Sequence, residues 1–161
     1  MRGIKAIGLL LVVVLASGLC GCGEVIEAIE PTLLFRGVEL SLGVSEQDVL
    51  PILGEDYTCV ETDSCAGLGK DRLYTYPSAR LYFFESESGE TSLTSISYTD
   101  DGVLTADGLY IGCQAEQVLA LRGEPTEQGA DYLIYRAQTS QLRFTLRDGR
   151  VTGIALMAAQ E

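Results

Sequence analysis

The sequence predicts an α+β fold: two tandem helix-then-three-stranded antiparallel repeats that share one sheet, with the helices packed on one face. Three observations carry this. First, Leu40–Glu55 and Leu109–Glu124 are similar segments 69 residues apart, with Gly43 on Gly112, Val49-Leu50 on Val118-Leu119 and Gly54-Glu55 on Gly123-Glu124. Second, each is followed by runs in which apolar and polar residues alternate, the period of a half-buried strand. Third, turn formers separate those runs, at Pro77-Ser78, Ser88-Gly89 and Asp148-Gly149. Further matches continue the similarity, with Tyr76 on Tyr135, Leu81 and Phe83 on Leu142 and Phe144, and Thr94 and Ile96 on Thr152 and Ile154. Units of about 50–65 residues bury little surface alone, which predicts one shared core.

Arg2 and Lys5 open the chain ahead of an apolar stretch from Ala6 to Leu19 and then small residues, the pattern of a secretory signal peptide over residues 1–21. That stretch of 14 residues is too short for a membrane-spanning helix, which takes about 17–25. Residues 22–36 read as a tether in which Val25, Ile26 and Ile29 are spaced for a short helix that Pro31 ends. Residues 37–161 form the tandem-repeat domain. Repeat one, about 37–100, has a helix from about Ser45, where Asp48 gives a weak capping box, to a stop at Gly54; Pro51 shortens or kinks it. Its strands are Leu73–Tyr76, Ala79–Glu85 and Leu93–Tyr98. Repeat two, about 105–157, has a helix from about Gln114 to Gly123 and strands Tyr132–Tyr135, Gln141–Arg147 and Val151–Leu156. Copy one carries the longer loop, which holds Cys59 and Cys65.

Removal of residues 1–21 deletes two cations and no acids, leaving nine Lys and Arg against 23 Asp and Glu, a net charge of −14. Such a domain does not bind nucleic acid by neutralising phosphates, which needs clustered cations. An anionic lipid surface repels it as well. Besides Cys22, three cysteines follow the signal. Cys59 and Cys65 stand six apart in a polar loop, and an exported protein meets an oxidising compartment. A bridge between them would stabilise by roughly 2 kcal/mol in the chain-entropy picture. Cys113 is then odd, a half-buried thiol; its pairing with either loop cysteine is the alternative.

Catalytic signals are thin. The chain has no histidine, so Ser-His-Asp and Cys-His arrangements are excluded. Lys70 follows Gly67 and Gly69 but lacks the remaining phosphate-loop residues. Asp100–Asp107 lacks the ligand spacing of an EF-hand, and the cysteines lack a fourth zinc ligand, so no metal and no cofactor is expected. The alternation does suggest a binding surface. Leu142 and Phe144 belong to the core side, so Arg143 and Arg147 face outward; by the same match, Tyr82 and Phe84 face outward while Leu81 and Phe83 are core. Tyr82, Phe84, Arg143 and Arg147 are residue types enriched at interaction hot spots. The plainer possibility is cross-strand packing.

Leu19-Cys20-Gly21-Cys22 resembles the lipobox of bacterial lipoproteins, with Leu19 at −3 and Gly21 at −1. That resemblance implies lipidation at Cys22, which takes a diacylglyceryl group and becomes the first residue. An uncleaved anchor, or cleavage without lipid, are the rival readings. The series Gly43…Asp48-Val49…Leu53-Gly54 and Gly112…Gln117-Val118…Gly123-Glu124-Pro125 is similar to the SmpA/OmlA-type small lipoproteins and to the β-lactamase-inhibitory-protein fold. Copy two departs from it with Cys113-Gln114 where a capping Ser or Thr is usual, and copy one lacks the proline. This resemblance implies a fold without transferring either group's activity, and the lipobox implies an extracytoplasmic location on the cell membrane or outer membrane. The expected function is a non-catalytic, membrane-anchored extracytoplasmic lipoprotein that binds a protein or another envelope component. An envelope assembly or structural factor, and a carboxylate-based cell-envelope hydrolase, are the alternatives.

Overall fold

The computed structural model describes residues 30–65 and 68–159. The expected signal peptide, Cys22 and residues 23–29 of the expected tether lie outside the described residues. In chain order the elements are β1 (Leu33–Phe35), β2 (Val38–Leu40), α1 (Glu46–Leu53), β3 (Thr58–Asp63), β4 (Gly69–Thr75), β5 (Ala79–Ser86) and β6 (Thr91–Tyr98). Then follow α2 (Ala115–Arg122), β7 (Glu127–Gln128), β8 (Tyr132–Arg136), β9 (Ser140–Arg147) and β10 (Arg150–Ala158). The strands β3 to β10 form one antiparallel sheet in the order β3-β4-β5-β6-β10-β9-β8-β7, while β1 and β2 pair only with each other.

This corrects the expected α+β class. The protein is mostly β, with 47% strand and 12% helix among the described residues, and it is not a pair of helix-then-three-stranded repeats. Each helix spans only eight residues, about two turns, so neither can form a helical layer. The surplus strand comes from segments that the sequence assigned to the tether and to a loop. β1 lies inside the stretch assigned to the tether, with Leu33 and Phe35 fully buried. β3 lies in the loop assigned to Cys59 and Cys65, and all six of its residues are exposed. An edge strand with no buried face leaves no period-two trace in the sequence.

Local chemistry sets the turns and helix ends. Arg36 and Gly37 both have positive φ, 53° and 80°, the two-residue turn that joins twisted antiparallel strands tightly. Ser45 caps α1 by accepting from the Gln47 N–H at 3.3 Å, and the Gln114 N–H at the start of α2 donates to Gln117 Oε1 at 3.0 Å. At the other ends Tyr76 donates its hydroxyl to the Gly54 carbonyl (3.1 Å) and Tyr135 donates to the Gly123 carbonyl (3.0 Å). Each latch satisfies a main-chain acceptor that the helix end leaves without an intrahelical partner. Burial of Tyr76 pushes its hydroxyl pKa up to about 12, so it remains a donor at any physiological pH.

The core fills one face of the sheet. Leu81, Phe83, Leu93, Ile96, Leu142, Phe144, Ile154 and Leu156 point into it, against Leu33, Phe35 and Leu40 of the β1–β2 hairpin, Val49 and Leu53 of α1, and Val118 of α2. The hairpin therefore supplies as much of the covering layer as the helices do. Tyr98 is buried and donates to the Leu34 carbonyl at 2.6 Å, tying β1 to β6. Glu30 receives the Thr139 N–H (2.8 Å) and the Ser140 hydroxyl (2.5 Å), fixing the start of the described chain to the β8–β9 turn. These hydrogen bonds hold its carboxyl below the usual carboxylate range.

Candidate functional site

The other face of the sheet is open to solvent along β3 to β6, while Gln141 and Ile134 on its second half are buried, and the strand register arranges its side chains in rows. Val60, Leu73, Tyr82 and Ser95 stand directly opposite one another across β3, β4, β5 and β6; the row continues through Met157, Gln141 and Arg136 on β10, β9 and β8. A second row holds Thr58, Thr75, Arg80, Ser97, Ala155, Arg143, Ile134 and Glu127. A register shift beside Tyr82 leaves Thr94 as the extra residue of β6, and its hydroxyl donates to the Tyr82 carbonyl at 3.0 Å. Beside this shift lies a depression of about 580 Å³, lined by Val60, Thr62, Asp71, Leu73, Tyr82 and Thr94. Its floor is apolar, and Val60 (56% exposed) and Tyr82 (39%) are both exposed to solvent.

The four residues predicted to form a binding surface are divided by this geometry. Tyr82 and Phe84 lie on β5 and Arg143 and Arg147 on β9, with β6 and β10 between them. Three interstrand steps separate the pairs by roughly 14 Å. Phe84 is half-buried and largely spoken for: a Cβ at Gly69 would stand 2.8 Å from its ring and 2.3 Å from the Glu85 carbonyl, so the ring fills the space of a missing side chain. Arg143 lies 5.0 Å from the centre of the Tyr132 ring, a cation–π contact. Arg147 is exposed and has no ion pair among the described residues. Sequence reasoning missed Val60, Leu73 and Arg80. Val60 could not be found because β3 reads as loop, and Leu73 joined the surface only once the β4–β5 register was known; Arg80 shares the alternation of Tyr82 and was legible from it.

Charge separates the two faces. On the core side, Arg36 pairs with Asp56, Lys70 with Glu61 and Arg122 with Asp107. Arg72 gathers three carboxylates, Glu46 at 3.0 Å, Glu61 at 3.0 Å and Glu85, joining α1 to the sheet. Lys70 and Arg72 together hold the Glu61 carboxyl below its usual range. Tyr74, opposite Cys59, is buried and donates to Glu46; burial first, then that carboxylate, raises its pKa. On the open face, Arg80, Arg136, Arg143 and Arg147 outnumber Asp71 and Glu127, and only Arg136 has a carboxylate partner, Glu127 at 2.7 Å. In a chain of net charge −12 this face is locally basic.

Cys59, Cys65 and Cys113 are all free thiols, which corrects the expected Cys59–Cys65 bridge. The four strand steps from Cys59 to Asp63 alone span about 13 Å, and Cys65 lies further along, whereas bridged Cα atoms stand within about 7 Å. Cys113 is 2% exposed and belongs to the core. Asp100 accepts from the Gly102 N–H at 2.8 Å, a turn contact. Among the described residues no group of three Cys, Asp or Glu is placed to hold a metal ion, and no helix is long and apolar enough to cross a membrane. Comparison of the chain with protein-family models, with curated proteins and with solved structures returned no match.

Proposed function

We propose that this protein is a membrane-anchored extracytoplasmic lipoprotein, lipidated at Cys22, that acts without catalysis by binding another protein through the open face of its sheet. The observation that carries the reading is the composition of that face: an apolar row, exposed Val60 and Tyr82 with half-buried Leu73 between them, beside the cations Arg80, Arg143 and Arg147, none of which has a carboxylate partner among the described residues. Aromatic and arginine side chains on a half-apolar surface are the usual anchors of protein recognition. The partner surface is therefore acidic around an apolar centre. The arrangement of carboxylates supports a binding role, since Glu46, Glu61 and Glu85 all converge on Arg72. The anchor rests on the lipobox resemblance. With Glu30 fixed to the β8–β9 turn, only residues 23–29 remain as tether, a reach of at most about 25 Å.

Photo-crosslinking in cells tests the face. A crosslinking amino acid at position 82 is expected to trap a partner, the same group at Ile52 on the opposite side of the molecule is not, and Arg143→Glu abolishes the adduct. Equal trapping from position 52, or an adduct indifferent to Arg143→Glu, overturns the reading. Fatty-acid labelling of the full chain, lost in Cys22→Ala, tests the anchor separately.

A further inference from the structure

The two edges of the eight-stranded sheet are unlike. β7 is two residues long, and such brevity blunts an edge. β3 runs for six residues, all exposed, in unbroken register with β4 from Thr58 opposite Thr75 to Asp63 opposite Lys70. It has no proline and no bulge, two of the devices that normally disable an edge; its charges, Glu61 and Asp63, are both acidic and repel a strand of like charge only.

The main-chain directions follow from one hydrogen bond. The Ser64 N–H donates to the Gly69 carbonyl at 3.1 Å, next to the Asp63–Lys70 pair. Because an antiparallel strand points its polar groups to the same side at every second residue, Thr58, Val60 and Thr62 turn theirs toward β4. Cys59, Glu61 and Asp63 therefore turn three N–H and three C=O groups outward, where no strand meets them among the described residues.

The side chains on this edge specify what fits. On the open face, Val60 begins the apolar row that continues through Leu73 and Tyr82, so the row is cut off at the edge with Val60 56% exposed. On the other face stand Glu61 and Asp63. Lys70 lies directly opposite Asp63 yet reaches Glu61 at 2.5 Å, leaving Asp63 with no cationic partner among the described residues.

We infer that the free edge of β3 is a strand-addition site for an antiparallel extended segment of another protein in which lysine or arginine alternates with apolar, β-branched residues. Main-chain hydrogen bonds from Cys59, Glu61 and Asp63 supply the affinity; the apolar residues extend the Val60 row, and the cations face Glu61 and Asp63. A second copy of the chain is a poor occupant, because it brings the same carboxylates and a net charge of −12 against themselves. The site adjoins the open face proposed above and shares Val60 with it, but it holds its ligand through the main chain of the edge.

Amide hydrogen exchange on the full-length chain, with the end-blocked peptide Lys-Val-Lys-Val-Lys-Val as probe, tests the inference. At saturating peptide the amides of Glu61 and Asp63 are expected to slow at least tenfold, with those of Val60 and Thr62 unchanged. In this register the lysines' own N–H groups face β3. Methylation of the lysine backbone nitrogens is therefore expected to abolish protection, and methylation of the valine nitrogens to preserve it. A Glu-Val peptide of the same length is expected to give none. Asp63→Pro removes an outward donor and should abolish protection while circular dichroism shows the fold intact; Asp63→Asn, which keeps the main chain, should weaken binding several-fold. Tyr82→Ala should leave edge protection in place, which separates this site from the open face. No protection, equal protection by the lysine-methylated peptide, Asp63→Asn binding as wild type, or protection that grows with protein concentration in the absence of peptide each overturns the assignment.

Discussion

The half of the sheet formed by β3–β6 and the half formed by β7–β10 are built on the same supports but present different surfaces. Both halves hold a short helix by a tyrosine hydroxyl on the terminal carbonyl, Tyr76 to Gly54 and Tyr135 to Gly123. Both place a phenylalanine at the centre of the core, Phe83 and Phe144, each at most 1% exposed. The first half ends in a long open edge and an apolar outer row. The second ends in a two-residue edge and carries Arg136, Arg143 and Arg147. Shared features thus concern stability, and the features that differ are those a partner would read.

The core offers the largest test of that division. Phe83→Ala and Phe144→Ala are each expected to cost about 3–5 kcal/mol, the usual range for deleting a buried ring, measured by denaturant melts. Equal losses support two halves sharing one core, whereas a loss confined to one half in residue-resolved hydrogen exchange would split the sheet into separately cooperative units. The latches come next. Tyr76→Phe should cost about 1 kcal/mol and Tyr135→Phe less, because Tyr76 is 2% exposed and Tyr135 is only half-buried, leaving water to replace its lost bond. Identical costs would mean that burial does not distinguish the two ends.

The smallest expected effect is that of acid on the N-terminal contact. Glu30 has a folded pKa below its ordinary value of 4.5, so its contribution to stability is present above about 4.5 and fades as pH falls through the lower folded value. The Thr139 amide, which donates to Glu30, should therefore exchange faster on acidification below pH 4.5, corrected for intrinsic exchange, and Glu30→Gln should remove that dependence. A Thr139 amide unaffected by either change would show that the segment is held by Leu33 and Phe35 alone.

The legible parts of the fold were those in which a buried face imposes a period. Ala79–Glu85 and Gln141–Arg147 alternate because one side of each strand meets the core, and both are strands here. Ser45 and Gly54 mark helix ends through their own chemistry, hydroxyl capping and positive φ, so they too were readable. The outward placement of Tyr82 and Arg143 followed from the same alternation. Their separation did not, because strand order is set by the meeting of β6 and β10 and leaves no local trace.

The sequence by itself determined the sign of the chain's charge, the exclusion of histidine chemistry, the positions of the turns and which side of β5 and β9 is buried. Each depends on residue type or on neighbours a few positions away. Tertiary structure decided that the helices are minor, that residues 33–35 are core strand and no longer tether, that Cys59 and Cys65 stand too far apart to bridge, and that β3 is an open edge. Those outcomes depend on which distant segments find each other. The free energy of burying Leu33 beneath a sheet, or of leaving β3 unpaired on one side, belongs to the assembled molecule.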